Sequence, residues 1–172
     1  LERRGVAFET VTTAAPGDGR SLARRALLEG RRHFLAVGGD GSVHDVVNGL
    51  LPLPGTPGDE VTLGAVPLGT GNDWARSLDV PRDPEGIAAT VAAGRTVAHD
   101  VGVLDFGPGA GGRHGFINVA GAGFDSHVIE RLPAQVDSPL AYLGGALAAL
   151  ASYRAPRFRI EESALPTGAR AM

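Results

Sequence analysis

"FLAVGGDGSVHDVVNGL", residues 34–50, runs an apolar stretch into two glycines, an aspartate and a third glycine, and a helical pattern opens at Ser42. Val43, Val46, Val47, Leu50 and Leu51 recur at helical spacing, which gives the helix one apolar stripe. His33 to Val37, just before the glycines, reads as a short strand. A strand that turns on small residues into a helix aims unpaired backbone N–H groups at one point, and that point favours anions, phosphate above all. Gly38, Gly39 and Gly41 let a ligand come close to the backbone, and Asp40 places a carboxylate beside it. A carboxylate repels phosphate unless a cation lies between them, so Asp40 points to Mg²⁺ held by phosphates and water, or to polarisation of an acceptor hydroxyl. Asp-Gly is also a common turn pair, so this motif alone does not decide. The dinucleotide fingerprint fails, because His44 stands at its third glycine position.

A second loop of the same design tips the balance. "VPLGTGNDWARSL", residues 66–78, follows the apolar strand Val61 to Val66, turns on Gly69 and Gly71, and starts a short helix, Asn72 to Leu78, through two capping residues, Asn72 and Asp73. Two such turns from parallel strands open on one sheet edge, where α/β proteins bind nucleotides. Thr70 can offer its hydroxyl to a phosphate there. A self-satisfied turn would explain Thr70 and Asn72 if this loop stood alone.

Outward from these loops, Val6 to Val11 reads as a strand, Leu22 to Glu29 as a helix capped by Ser21 and stopped by Gly30, and Pro84 to Gly94 as a helix begun after Asp83. Alternation of strand and helix argues for a mainly parallel sheet with helices on its faces. The texture then changes: Thr96 to Phe106 and Arg113 to Ala120 look like two long strands around the loop GPGAGG, which is hairpin grammar. The expected fold is therefore an α/β N-terminal domain, residues 1–97, followed by part of a β-rich domain, residues 98–172, with a helix from Ser138 and Pro139 to about Tyr153 and a strand over residues 157–161.

Composition removes several chemistries. All 16 basic residues are arginines, so a Walker A loop, a protein-kinase strand lysine and a pyridoxal Schiff base are excluded within this chain. With no cysteine, disulfides, thiolate zinc sites and cysteine nucleophiles go too. A formal charge of −3 argues against a general nucleic-acid binder. The pairs Arg3-Arg4, Arg24-Arg25 and Arg31-Arg32 could meet an anionic membrane at about 1 kcal/mol per residue, but the net negative charge favours a solvated face. His33, His99, His114 and His127 have no partner at metal-ligand spacing, and no metal ligand set is assigned. Trp74 is read as core, and Arg76 as a salt-bridge or phosphate residue.

The pair GGDGSVHDVVNGL and PLGTGNDWAR closely resembles the catalytic domain shared by diacylglycerol kinases, sphingosine and ceramide kinases and bacterial lipid kinases. The resemblance covers roughly residues 5 to 162. Phosphofructokinases and NAD kinases share the GGDG element more distantly, and the second motif separates the diacylglycerol kinase group from them. The resemblance implies a phosphofructokinase/NAD kinase-like first domain and part of a β-sandwich after it. It implies ATP binding by Gly39, Asp40, Gly41, Ser42, Val43 and His44 at the first turn, by Thr70 at the second, and by Thr13 at the end of "FETVTT". Asp40 matches the aspartate implicated in catalysis and Mg-ATP handling. Ser42 replaces the usual threonine and keeps its hydroxyl, His44 stands where some bacterial members have asparagine, and Asp45 replaces the more usual glutamate.

"FINVAGAGFDSHVIER", residues 116–131, looks like the start of the family's second domain, with Asp125 either a helix cap or a contact to a headgroup hydroxyl or metal. Family members begin with a further strand and continue for roughly another hundred residues. That continuation supplies the general base and a structural Mg²⁺ site, so the base is expected beyond the chain end. The implied function is an ATP- and Mg²⁺-dependent lipid kinase that passes the γ-phosphoryl group to diacylglycerol or a related lipid at a membrane surface. Its implied place is the cytoplasm or the inner face of the membrane, without a nucleic-acid partner, and a homodimer is open. Two alternatives stay open: a kinase of a soluble acceptor such as NAD, and a nucleotide- or lipid-binding fragment without catalysis.

Overall fold

The computed structural model describes residues 1–51, 61–107, 112–121, 123–130, 139–155, 157 and 169–171. After a single 3₁₀ turn at Glu2–Arg4 come α1 (Asp18–Leu28), β1 (His33–Gly38), α2 (Asp40–Leu50), β2 (Val61–Pro67), α3 (Asp73–Ser77) and α4 (Pro84–Ala93). Then follow β3 (Val97–Ala98), β4 (Gly102–Asp105), β5 (Arg113–Phe116), α5 (Phe124–Ile129), α6 (Pro139–Ser152) and β6 (Ala169–Ala171). Internal packing divides the chain into two units, Leu1–Asn118 with Leu165–Met172, and Val119–Ala164.

The first unit is α/β. One sheet has the order β1-β2-β6-β3, and β4 and β5 make a separate antiparallel pair. β1 and β2 run parallel from His33↔Thr62 to Gly38↔Pro67. Alternation along β1 buries Ala36 and exposes Val37, because successive side chains leave opposite faces. On the buried face Ala36, Leu63 and Ala65 pack with Val43 and Val47 of α2 and with Trp74 and Ala75 of α3. Val43 and Val47 are one helical turn apart, so both reach the sheet, and burial of such a side chain stabilises by about 1.5–3 kcal/mol. On the opposite face of α2, Gly49 lies so close to Arg20, Ala23 and Arg24 of α1 that an added Cβ would come within 2.8 Å of Ala23 Cβ.

Local chemistry sets the ends of α4. The Asp83 carboxylate accepts from Gly86 N at 2.7 Å, Pro84 opens the helix, and Gly94 closes it at φ 62°.

Several expectations shift. Val6–Val11 joins neither sheet, and Phe8 and Val11 are 53% and 57% exposed; a strand needs a ladder partner and a buried face, and among the described residues this segment has neither. α1 begins at Asp18 rather than Leu22, because Gly17 in the left-handed region turns the chain there. Ser21 donates to Asp18 O at 3.0 Å inside the first turn instead of capping it. The long strand expected over Thr96–Phe106 is split: β3 joins β6 and β4 joins β5, so the chain must turn between two sheets near His99–Val101. β5 ends at Phe116, short of Ala120. The hairpin itself forms, with Gly102↔Phe116 and Asp105↔Arg113 in register. β6, which has no counterpart in the sequence reading, lies between β2 and β3.

The second unit holds α5 and α6. Tyr153 sets its ring edge against Phe124 and His127, with centroids 5.3 and 5.5 Å apart, and Ser152 Oγ lies 3.2 Å from His127 Nε2. The strand expected over residues 157–161 lies outside the described residues apart from Arg157.

Candidate functional site

β1 and β2 end side by side, and both glycine turns leave from their carboxyl ends. Leu68 N donates to Gly38 O at 2.9 Å, so the pairing continues one residue into the second turn. Beyond that rung the turns touch. A Cβ on Gly39 would lie 3.0 Å from Gly69 Cα, so only glycine fits this close approach.

Asp40 opens α2, two residues before the expected start at Ser42. The amides of Ser42 and Val43 donate to Gly39 O at 3.0 and 3.2 Å. The N–H groups of Asp40 and Gly41 stand at the helix start without intrahelical acceptors, at the positive end of an 11-residue helix. The Asp40 side chain is exposed and reaches across to the second turn: Oδ1 accepts from Trp74 N at 3.4 Å. A Cβ on Gly71 would lie 2.7 Å from Asp40 Oδ2, so Gly71 makes the room for this carboxylate. Gly41 is exposed, with no atom within 4 Å of where its Cβ would be and no left-handed φ. Nothing in the fold requires glycine there.

The remaining residues of the expected site divide by exposure. Ser42 is half-buried and its hydroxyl packs against Gly38. His44 and Thr70 are exposed beside the two turns. Val43 is 5% exposed and its side chain belongs to the core, so only its backbone faces the turn. Thr13 lies in the exposed segment before α1, and among the described residues no hydrogen bond ties it to either turn. Asn72 is buried at φ 55°; its Oδ1 accepts from Gly69 N at 2.9 Å and its Nδ2 donates to Gly69 O, which closes the second turn on itself. Asn72 is therefore structural, and the Thr70 hydroxyl is left as the side-chain donor of that turn.

Arg76 pairs with Asp73 on the surface. Trp74, 3% exposed, donates from Nε1 to His99 Nε2 at 3.2 Å. That ring nitrogen must then be unprotonated, which puts the His99 proton on Nδ1, where it donates to Asp100 O at 2.9 Å. Asp125 lies inside α5, one residue past its start, rather than at the cap position, which Gly123 holds.

Sequence reasoning missed Asn48. It is 5% exposed, and its carboxamide makes two hydrogen bonds to Gly115 of β5: Nδ2 to Gly115 O at 3.0 Å, and Gly115 N to Oδ1 at 2.9 Å. A local signal existed, since an asparagine beside the apolar stripe of α2 needs buried partners.

A Mg²⁺ ion at these turns would meet carboxylate oxygens. Asp40 and Asp73 both bring carboxylates close to Gly71, but among the described residues no group of three or more potential ligands could hold a metal. Mg²⁺ keeps water and phosphate ligands and takes one or two carboxylates from a protein. Asp40 is the residue that would hold it.

Residues 1–104 match the family profile of the diacylglycerol kinase catalytic domain. A diacylglycerol kinase of Bacillus subtilis is 36% identical over 144 residues, covering 83% of this chain and 44% of that protein. One from Staphylococcus aureus is 32% identical over 164 residues, covering 94% of this chain and 49% of that protein. A solved structure described as a putative diacylglycerol kinase from Bacillus anthracis shares 31% identity, with a TM-score of 0.46 over 53% of this chain and 29% of that one. The chain thus belongs to the diacylglycerol kinase catalytic domain family. It spans about half the length of the curated relatives it matches.

Proposed function

We propose that this protein is a lipid kinase that moves the γ-phosphoryl group of ATP to a hydroxyl of diacylglycerol or a related lipid. The observation that carries the reading is the backbone contact between Gly39 and Gly69, with the Asp40 carboxylate set between the two turns they belong to. Phosphates would lie on the free N–H groups of Asp40 and Gly41, with the hydroxyls of Thr70 and Ser42 as further donors. Asp40 would hold Mg²⁺ on its phosphate ligands, and the ion would supply neutralisation of phosphate charge. In the reaction the bond from the bridging oxygen to the γ-phosphorus breaks as the acceptor oxygen bonds to that phosphorus, and the acceptor proton passes to a general base. What the two turns contribute is placement and electrostatic stabilisation.

The division into a nucleotide domain, residues 1–97, and a substrate domain, residues 98–172, belongs to the same proposal, although β4, β5 and β6 fall in the first compact unit; so does work at a membrane surface. Among the described residues no helix is long and apolar enough to cross a membrane.

A second reading is a module that binds nucleotide or lipid without turnover, since the free N–H groups at the start of α2 and the Gly39–Gly69 contact form an anion site by themselves. Titration with Mg-ATP, followed by transfer of label from γ-³²P-ATP to diacylglycerol in mixed micelles, to NAD and to sugar phosphates, separates these outcomes. Label in a lipid product supports the lipid kinase, label in NAD or a sugar phosphate replaces it with a soluble-acceptor kinase, and binding without label supports the second reading.

A further inference from the structure

We infer that Asn48 is a positioning residue for phosphoryl transfer: its carboxamide clamps β5 onto α2 and so holds the helix that carries Asp40 and His44 against the second glycine turn. The inference rests on the reading of the site given above.

One side chain makes the hydrogen bonds between helix and strand here. Asn48 Nδ2 has two hydrogens, one given to Gly115 O at 3.0 Å and one to His44 O at 2.9 Å, while Oδ1 takes the Gly115 amide at 2.9 Å. Both donors are thereby used, so the longer approaches of Nδ2 to the His44 ring, at 3.4 and 3.5 Å, have no hydrogen left to share. The pair with Gly115 copies the two-way exchange of a strand ladder, and it sets a helix side chain on the edge of β5 that carries no second strand among the described residues. It also sets register, because the carboxamide fits only where one residue presents both its N–H and its C=O. A Cβ added at Gly115 would come 2.8 Å from Leu51 Cδ1, so the Leu51 side chain just past the same helix would have to move.

The bond to His44 O reaches one turn back toward Asp40, which sits in the first turn of α2. At the other end of the clamp, Phe116 closes over Gly102, and Ile117 packs against the core shared with Trp74 and Ala75 of α3. Asn48 therefore joins the helix of the first turn to packing that also supports the second. Asn48 is buried, so its removal leaves the Gly115 N–H and C=O without the partner they have here. Catalytic groups misplaced by about 1 Å lose roughly a hundredfold in rate.

The test compares Asn48→Asp, which keeps shape but sets a carboxylate against two carbonyl oxygens, with Ile87→Val, a core change in α4 away from both turns. Measured quantities are kcat per folded molecule, KM for ATP, and amide exchange at Gly115. Expected for Asn48→Asp are a fall in kcat of about tenfold or more, KM for ATP within about threefold, and faster exchange at Gly115, while Ile87→Val leaves kcat unchanged. If Asn48→Asp folds poorly, Asn48→Ser takes its place, because it removes the paired bonds without adding charge. An unchanged kcat per folded molecule with Gly115 exchanging freely overturns the inference, as does an equal loss in Ile87→Val. If the wild-type protein transfers no label while binding Mg-ATP, the lipid kinase reading fails and this inference falls with it. That outcome is read in the wild type alone and so is distinct from the first two.

Discussion

Gly69 lies against Gly39 so closely that a Cβ on Gly69 would sit 2.5 Å from Gly39 Cα and 2.9 Å from Asn72 Oδ1. The two turns, thirty residues apart in the chain, are thus one structure, and neither can carry a side chain at the contact. Gly69→Ala is expected to push the turns apart and lower stability by about 1–3 kcal/mol, as overpacking does. Thermal unfolding measures the first effect, and calorimetric titration shows weakened Mg-ATP binding as the second.

Gly41 behaves in the opposite way. Its Cβ would meet no atom within 4 Å, and it lies in the first turn of a helix. Gly41→Ala is expected to leave the melting temperature unchanged or raise it, by up to about 1 kcal/mol of stability from the gain in helix preference. Mg-ATP affinity is expected to fall, because the methyl group would occupy the space in which phosphate approaches the backbone. A variant that binds Mg-ATP as the wild type does would show that this glycine serves no ligand.

Asp40→Asn keeps the carbonyl oxygen that accepts from Trp74 N, so stability is expected to stay within about 0.5 kcal/mol. Phosphoryl transfer is expected to fall at least about a hundredfold, the scale seen when a preorganised electrostatic group is lost. Label transfer from γ-³²P-ATP, alongside thermal unfolding, measures both halves.

Trp74 is the only tryptophan in the chain, and its backbone N–H touches Asp40 while its ring N–H donates to His99. Its fluorescence is expected to respond when Mg-ATP occupies the turns. In Asp40→Asn the response should shrink, because the charge that links ligand and helix is gone. Steady-state emission during the titration reports it.

What the sequence made legible was the part ruled by local chemistry. β1, α2 and β2 follow from apolar spacing and glycine punctuation, and α4 from Asp83, Pro84 and Gly94. The meeting of the two turns was also foreseeable, since parallel strands must place their carboxyl ends together. Illegible were contacts whose partners lie far apart. Asn48 and Gly115 are 67 residues apart, and the Asn48 carboxamide meets backbone atoms, so the sequence marks Asn48 as needing a partner without naming which residue supplies it. β6 is three residues, Ala-Arg-Ala, too short for periodicity. Val6–Val11 misled because β preference needs a neighbouring strand to act on, and Ser21 misled because Gly17 and Asp18 start the helix earlier. Val43 shows the limit of a motif read position by position: it falls within the glycine-turn motif, yet its side chain faces the core.

The central claim is that both turns bind one nucleotide. Backbone amide shifts followed during a Mg-ATP titration test it most directly. Gly39, Asp40 and Gly41 on one side and Gly69, Thr70 and Gly71 on the other are predicted to shift together along a single binding curve. Movement of one turn alone, two curves with different midpoints, or no movement at saturating Mg-ATP would contradict it.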